Sequence, residues 1–332
     1  MSKHHPIVAG ALAGLASGLL FLAVAGDMGP LGLLAWVTPA PLMIAAIGFG
    51  FRAGAAATAV AALVVLAAAD AWTALVFAGL VAAPSWRLAH LVQLWRHDAS
   101  GAETWYPAGK LVLQAAGAGA LAGAGVVAEI VASGGYDAGV AALAHDLESV
   151  VRSVAGIGAL DAAGVTRLAA LLAHVAPALT AATTTLLLAG NLLAASAFAR
   201  AIGLLRRPAG GLAEALRAPL RAVPAIVAAL ALSFAPGATG GLALAAAGAL
   251  GIVFVAAGAA RVHLLARRTP LRPAALSAYW AAFVVLFPWI AILTALLGAA
   301  DAVFGARRRV PAAAVDSPPD SQSKPDGEEP WK

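Results

Sequence analysis

Apolar residues occur along the chain in repeated runs of about 20, and short polar joints separate each run from the next. An α-helix needs a run of this length to cross the hydrocarbon core of a bilayer. The pattern therefore predicts an all-α, polytopic integral membrane helix bundle with about eight transmembrane helices. We place these spans at residues 6–26, 31–51, 54–69, 72–95, 111–132, 168–198, 223–236 and 241–260.

The last apolar stretch, residues 273–300, is compatible with two topologies. Arginines flank it on both sides, and Arg307, Arg308 and Arg309 follow it. A single crossing would place these arginines outside, against the tendency of Lys and Arg to remain in the cytoplasm. A re-entrant hairpin bent at Pro288 keeps both ends inside, although each arm then spans only about half of a membrane. We favour the hairpin.

Two segments are predicted to lie outside the membrane. Residues 139–160 place apolar side chains at helical spacing opposite a polar face that includes Asp146 and Glu148, which is typical of an amphipathic helix on the surface or over the end of the bundle. Residues 307–332 consist of Pro, Ser, Asp, Glu and Lys with almost nothing to bury, so we predict a disordered polar C-terminal tail. The multi-pass membrane domain then comprises residues 1–306.

Glycine spacing predicts where helices pack closely. Gly10, Gly14 and Gly18 are four residues apart and form one smooth face, and Gly119 and Gly123 form another. The first span ends in a small-x-small pattern that resembles a signal-peptidase site, but a cleaved segment has no need of a packing face. We therefore favour an uncleaved first span.

Two prolines interrupt the second predicted span. Pro39 and Pro41 remove backbone donors, which is tolerated in a membrane only where the backbone is buried in protein or faces a cavity. Another break is predicted at Pro84 in the fourth span. The first of these breaks marks a place where a solute could be held between helices.

The composition agrees with a membrane protein and restricts its partners. Hydrophobic residues make up 62% of the chain and charged residues 11%, whereas soluble domains carry about 25% charged residues. The net charge of +5 does not indicate nucleic acid, because Lys and Arg lie in the joints, where they set topology and contact anionic lipid. We expect the lipid bilayer as partner, no nucleic acid, and a cytoplasmic N-terminus and C-terminal tail. The absence of cysteine excludes disulfides and thiolate chemistry.

Motifs for catalysis or cofactor binding are absent from the sequence. The chain has no His-Glu-x-x-His, no Walker phosphate loop and no Gly-x-Ser-x-Gly elbow. Gly48, Gly50 and Gly54 miss the dinucleotide fingerprint by one residue, and no predicted strand precedes them. We therefore predict no catalytic residue, no cofactor and no metal ion, and a protein that is not an enzyme.

Polar side chains inside apolar segments are the candidates for function, because each is costly in a membrane unless it is paired or hydrated. Arg87 and His90 are three residues apart on one helical face and would together line a pocket for an anionic ligand. In the alternative interpretation, Arg87 extends to the interface and His90 packs against a neighbouring helix.

Two further polar residues are weaker candidates for lining a ligand site. Asn191 lies in the sixth span together with His174 and three threonines, where a hydrogen bond to an adjacent helix is the alternative to a ligand contact. Glu129 lies near the end of the fifth span, either as an interfacial residue or as a proton or ion site.

Several short motifs suggest a family. They are Leu94-Trp-Arg-His-Asp, Thr104-Trp-Tyr-Pro-Ala-Gly-Lys, Arg206-Arg207-Pro208 and the closing Gly298-Ala-Ala-Asp before the triple arginine. In these motifs the chain resembles the YybS-like family of predicted multi-pass bacterial inner-membrane proteins, whose function is unknown. The resemblance implies a bacterial inner-membrane location and brings no catalytic residue. The N-terminal half of that family is similar to substrate-binding membrane subunits of energy-coupling-factor transporters and to related cell-shape proteins.

Two functions follow as hypotheses. In the first, the protein is transport-related and binds a small solute between helices near Pro39, Arg87, His90 and Asn191, with partner subunits supplying any energy. In the second, it is a non-catalytic membrane scaffold for envelope assembly or cell shape, whose basic joints and tail recruit membrane or cytoplasmic proteins. A solute site must admit water to these side chains, whereas a scaffold packs and pairs them.

Overall fold

The structure, a computed structural model, describes residues 5–25, 34–98, 101–154, 161–208 and 216–307, and these residues are almost wholly helical. In chain order, the elements are α1 (His5–Ala25), α2 (Pro39–Phe49), α3 (Phe51–Ala68), α4 (Ala71–Phe77), a π-helical turn (Ala78–Ala82), α5 (Ala83–Leu91), the strands β1 (Trp95–His97) and β2 (Glu103–Trp105), α6 (Ala108–Ala132), α7 (Tyr136–Val154), α8 (Ala162–Ala201), α9 (Ala222–Leu232), α10 (Gly237–Ala266), α11 (Arg272–Val285) and α12 (Trp289–Arg307).

Six helical segments within the described ranges are long and apolar enough to cross a membrane, which confirms the prediction of a helical membrane protein. They are Pro6–Ala23, Phe51–Ala68, Ala71–Leu91, Ala108–Ala132, Ala162–Ala201 and Gly237–Ala266. At the predicted spans 31–51 and 223–236, the described residues form shorter apolar helical stretches, Leu34–Phe49 and Ala222–Leu232. The regular α-helices in them, α2 and α9, each have 11 residues. At 1.5 Å per residue each is about 16 Å long, roughly half of the hydrocarbon core.

The prolines explain where these elements begin, bend and end. Pro39 begins α2 instead of interrupting a longer helix. The π-helical turn Ala78–Ala82 lies directly before Pro84, and the Ser85 hydroxyl donates a 2.6 Å hydrogen bond to the carbonyl of Val81 in that turn. A π-turn accommodates the backbone carbonyl that loses its N–H donor at a proline. The predicted break at Pro84 is therefore wrong: the helical segment Ala71–Leu91 is continuous and contains a local π-helical widening at this point.

The last apolar stretch forms two helices, α11 and α12, that are separated at Pro288. The peptide bond between Phe287 and Pro288 is cis. The Tyr279 hydroxyl lies 3.2 Å from Oγ1 of Thr294, so the chain bends back on itself at this break. Whether this bend lies within a membrane stays a prediction.

The chain forms two compact units. Among the described residues, unit 1 contains those up to 114, those from 187 to 220 and those from 253 onwards, and unit 2 contains residues 115–186 and 221–252. The helices α6, α8 and α10 continue from one unit into the other.

In unit 1, α1 and α3 pack at very short distance through glycine. A Cβ atom on Gly10 or Gly14 would collide with the backbone of Ala53 or Ala57, respectively, and one on Gly18 would lie 2.8 Å from the Val64 side chain. The predicted packing face of α1 is thus confirmed. Residue numbers rise together along both helices, so α1 and α3 run parallel, and the chain between them has to return to the starting level.

In unit 2, the second predicted glycine face is also confirmed. A Cβ atom on Gly119 would meet the carbonyl of Ala181 in α8, and one on Gly123 would meet that of Pro177. Gly248 of α10 approaches α8 in the same way. Small residues let helix backbones approach to van der Waals contact, which is the principal packing force between helices in a bilayer.

The amphipathic helix is present and begins three residues earlier than predicted. Within the described residues, helix α7 covers Tyr136–Val154, and residues 155–160 of the predicted segment 139–160 lie outside the described part of the chain. Val151 is buried with Val165 and Ala169 of α8. Val150, the neighbouring apolar residue, is exposed.

A small β-hairpin follows α5, which the all-α prediction missed. Strands β1 and β2 pair antiparallel, with Trp95 opposite Trp105 and His97 opposite Glu103. Strands of three residues are too short to show an alternating pattern in a sequence. The predicted tail began at residue 307, but Arg307 is the last residue of α12, and residues 308–332 lie outside the described residues.

Candidate functional site

Helix α2 begins beside the middle of α1, and this start is the most unusual backbone feature of unit 1. Residues 34–37 form a 3₁₀ turn, and regular α-helix begins only at Pro39. The carbonyl of Thr38 accepts a hydrogen bond from Ser17, which lies about 18 Å from the start of α1 by its helical rise. Pro39 and Pro41 both lie in the first turn of α2, where a missing N–H is harmless because it would have no intrahelical partner.

Side chains from two other helices satisfy the carbonyl groups at this start. The Ser17 hydroxyl of α1 donates to the Thr38 carbonyl at 2.7 Å, and both residues are buried. The Asn191 amide of α8 donates to the Trp36 carbonyl at 2.7 Å and to the Leu187 carbonyl of its own helix at 2.8 Å. These two bonds use both hydrogens of the amide. Side-chain donors of α1 and α8 thus bind backbone carbonyls of the two residues Trp36 and Thr38, which lie just before α2.

Thr38 is the residue that this arrangement leaves unsatisfied. Its side chain is 2% exposed, makes no capping bond to α2, and has no hydrogen-bond partner for Oγ1 among the described residues. A buried hydroxyl without a partner is destabilising by about 1–3 kcal/mol, so such a group indicates strain, an unseen water or a ligand contact.

The chemistry of this place is that of a donor site without charge. Pro39 and Pro41 offer no N–H group in this first turn, so the side-chain donor beside the partial positive charge of the helix end is the Thr38 hydroxyl. An oxygen acceptor, such as that of a carboxylate, phosphate or carbonyl group, would be favoured beside this hydroxyl. The Ser17 and Asn191 side chains fix the backbone around it, so the site is rigid on two sides.

The structure places Arg87 and His90 on α5, where neither makes a side-chain hydrogen bond or ion pair with another described residue. Arg87 is exposed, and His90 is half-buried with its ring edge-on to Phe51 at 5.3 Å between centroids. The neighbouring Trp86 donates a 3.1 Å hydrogen bond to the Phe51 carbonyl. In the described part of the chain, no hydrogen bond or ion pair links Arg87 or His90 to Asn191. The structure therefore does not bring the predicted residues together through direct contacts.

Glu129 belongs to unit 2, on α6, and its side chain is exposed. Its backbone carbonyl accepts a bond from the amide of Ser133 at the end of the helix. No group of three His, Asp or Glu residues that could hold a metal ion occurs within the described ranges.

A buried arginine closes one end of α5. Arg207 is 9% exposed, its Nη1 donates to the Val92 carbonyl at 3.4 Å, and its own carbonyl accepts a bond from Nε of Arg200. Burial, and secondarily the positive charge of Arg200, lower the pKa of Arg207. A guanidinium group at a helix C-terminus satisfies free carbonyls and complements the helix dipole. This contact joins the segment after α8 to α5.

Ser17 and Thr38 are the site residues that the sequence interpretation missed. A Thr-Pro pair is a recognised helix-start signal, so Thr38-Pro39 could have shown that α2 begins at this point. Ser17 has no comparable signal, because a lone serine in a transmembrane helix commonly bonds its own backbone.

No protein-family model, curated protein or solved structure matches the chain.

Proposed function

We propose that the protein is a transport-related multi-pass membrane protein that binds a small solute at the start of α2. The observation that supports this most is the buried, unpartnered hydroxyl of Thr38 at the N-terminus of a half-length helix. Helices that begin in the middle of a membrane are a recurrent feature of transporter binding sites, where their N-termini face the anionic groups of substrates.

The solute class follows from the groups around Thr38. An O–H donor and a helix N-terminus favour a ligand that presents oxygen acceptors, such as a small carboxylate. Ser17 and Asn191 are engaged with backbone carbonyls and therefore shape the site instead of contacting the solute. Arg87 and His90 are left out of this proposal, since neither has a contact with these groups.

The proposed topology adds a broken crossing to the six long helices. Because α1 and α3 run parallel, the chain between them returns to the starting level, and we propose that α2 forms part of this crossing. We further propose a bacterial inner-membrane location, membership of the YybS-like family, and cytoplasmic termini. The last two helices then form a re-entrant hairpin. The basic joints support this orientation through the positive-inside tendency.

Thermal unfolding of the purified protein with a panel of small monocarboxylates tests the solute proposal, since a ligand that binds the native state stabilises it. At least one carboxylate should raise the midpoint of wild type and of the Ser196→Ala control, and should leave Thr38→Val unchanged. Ser196 is a suitable control because it is a buried hydroxyl on α8 that also lacks a partner among the described residues. A panel without effect, or an equal response of Thr38→Val, contradicts the proposal.

A scaffold function is the second candidate, and specific contacts favour it. Both hydrogens of Asn191 are already engaged within the protein, and His90 packs against Phe51. Polar groups used in this way hold helices together without binding a solute. Under this alternative, Thr38→Val is stabilising or neutral, and no solute changes the unfolding midpoint.

A further inference from the structure

We propose that unit 2 carries a separate binding site for a small organic ammonium ion, in the pocket between the start of α7, the middle of α8 and the turn from α9 to α10. The pocket has a volume of about 280 Å³, close to the lower end of the range for small-molecule sites. Its lining comes from unit 2 alone, so this inference does not depend on the site proposed at α2.

Glycines around the turns give the pocket its shape. Gly237 begins α10 with φ of +67°, a conformation that other residues rarely adopt. A Cβ atom on Gly241 would lie 2.5 Å from the hydroxyl oxygen of Tyr136 and 2.7 Å from its ring. The absence of a side chain at Gly241 is therefore what allows the Tyr136 side chain to lie against α10 beside the pocket.

The Tyr136 hydroxyl is the polar group of the lining whose hydrogen bonds are not satisfied by described residues. Its oxygen is buried and has no hydrogen-bond partner among the described residues, and Tyr136 is one of the residues that line the pocket. Burial, and secondarily the charge of Asp137, raise the pKa of Tyr136. The group therefore stays a neutral phenol at physiological pH, with lone pairs that accept a hydrogen bond and one hydrogen to donate.

The charges and apolar surfaces of the lining select the ligand. Asp137 is the charged carboxylate of the lining, and the other titratable side chains are Tyr136 and His174; no Lys or Arg belongs to it. An anion is disfavoured beside Asp137, whereas an ammonium group can donate to its carboxylate and to the phenol oxygen. Val140 and Pro236 supply apolar contact for a short hydrocarbon group. A primary ammonium ion with a few carbon atoms meets all of these requirements.

Ligand-observed NMR with the full-length protein in nanodiscs tests this site. The probes are ethylammonium and ethanolammonium, with acetate and ethanol as the anionic and neutral comparisons. Wild type should bind at least one of the ammonium probes and should bind neither comparison. Tyr136→Phe and Asp137→Asn should each weaken binding at least tenfold.

Asp146→Asn is the matched control, because Asp146 lies on the exposed surface of the same helix, and it should bind as wild type does. Gly241→Ala should also weaken binding, since the added methyl group displaces Tyr136. The inference is overturned if neither ammonium ion binds wild type, if acetate binds as well as they do, or if Asp146→Asn weakens binding as much as Asp137→Asn. None of these outcomes bears on the response of Thr38→Val to carboxylates.

Discussion

Replacing Asn191 by leucine removes the side-chain bond that connects α8 to the start of α2 while keeping a similar volume. The Leu187 carbonyl lies inside α8, where the backbone ladder also serves it, so its loss matters little. The Trp36 carbonyl loses its hydrogen bond from the Asn191 amide nitrogen, which lies 2.7 Å away and belongs to a residue 155 positions later in the chain. The bond is part-buried, whereas an unmet acceptor that is fully buried is destabilising by about 1–3 kcal/mol. Interhelical hydrogen bonds in membranes measure about 0.6 and at most about 1.7 kcal/mol.

We therefore expect Asn191→Leu to lower the free energy of unfolding by about 1–2 kcal/mol, a factor of about 5–30 in the unfolding equilibrium. Reversible unfolding in mixed detergent micelles, followed by circular dichroism, measures this difference. Ser196→Ala on the same helix removes a buried hydroxyl without a partner among the described residues and should therefore be neutral or stabilising. If Asn191→Leu is as stable as Ser196→Ala, the bond to Trp36 does not support the broken crossing.

The same unfolding assay tests two further contacts, and an acid titration tests a third. Gly123→Leu should lower the free energy of unfolding by about 1–3 kcal/mol, because α8 leaves no room for a side chain. Gly125→Leu, with open space around it, should lower it by less than about 0.5 kcal/mol. Equal losses would contradict close packing at Gly123. Asp301→Asn should lower the free energy of unfolding by less than about 1 kcal/mol, since the 3.6 Å ion pair between Asp301 and Arg261 of α10 is partly exposed. A larger loss would mean that the pair is desolvated. A hydrogen bond from Thr166 is the principal cause of the lowered pKa of Glu148 in the folded protein. This contact therefore stabilises the protein above pH 4.5, the ordinary pKa of the group. The stabilisation is lost as the pH falls through the lowered pKa of the folded state. Pepsin cleavage in α7 should therefore increase in acid, and less steeply in Thr166→Val; identical acid profiles would argue against the bond.

The sequence predicted the contacts that depend on local spacing. Gly10 and Gly14 on α1, and Gly119 on α6, repeat at helical intervals, and an interval of this kind is enough to place small residues on one face. The long apolar runs predicted about eight spans, and six of them are helices long and apolar enough to cross a membrane, since the length and hydrophobicity of a helix are properties of the segment itself. Both kinds of information can be read without knowing which helices are neighbours.

The candidate site could not be predicted in this way. Asn191 was recognisable as an intramembrane polar residue, but its partner is a backbone carbonyl 155 positions away, and no side-chain pattern marks a carbonyl. Pro39 and Pro41 indicated a break, yet the continuous apolar composition around them concealed that the helix starts there. The lining of the unit 2 pocket combines Tyr136 with a distant turn, which only the tertiary structure brings together.

The reactivity of a single cysteine at Thr38 tests the central claim most directly, because the natural chain contains no cysteine. Thr38→Cys in liposomes would be treated with a small, membrane-impermeant thiol reagent from each side. Thr185→Cys is the control for a closed interior, since Thr185 is fully buried and bonds its own helix. Our account predicts that Thr38→Cys reacts in the folded protein and that Thr185→Cys does not. Reaction of Thr38→Cys only after denaturation would contradict a solute site at the start of α2.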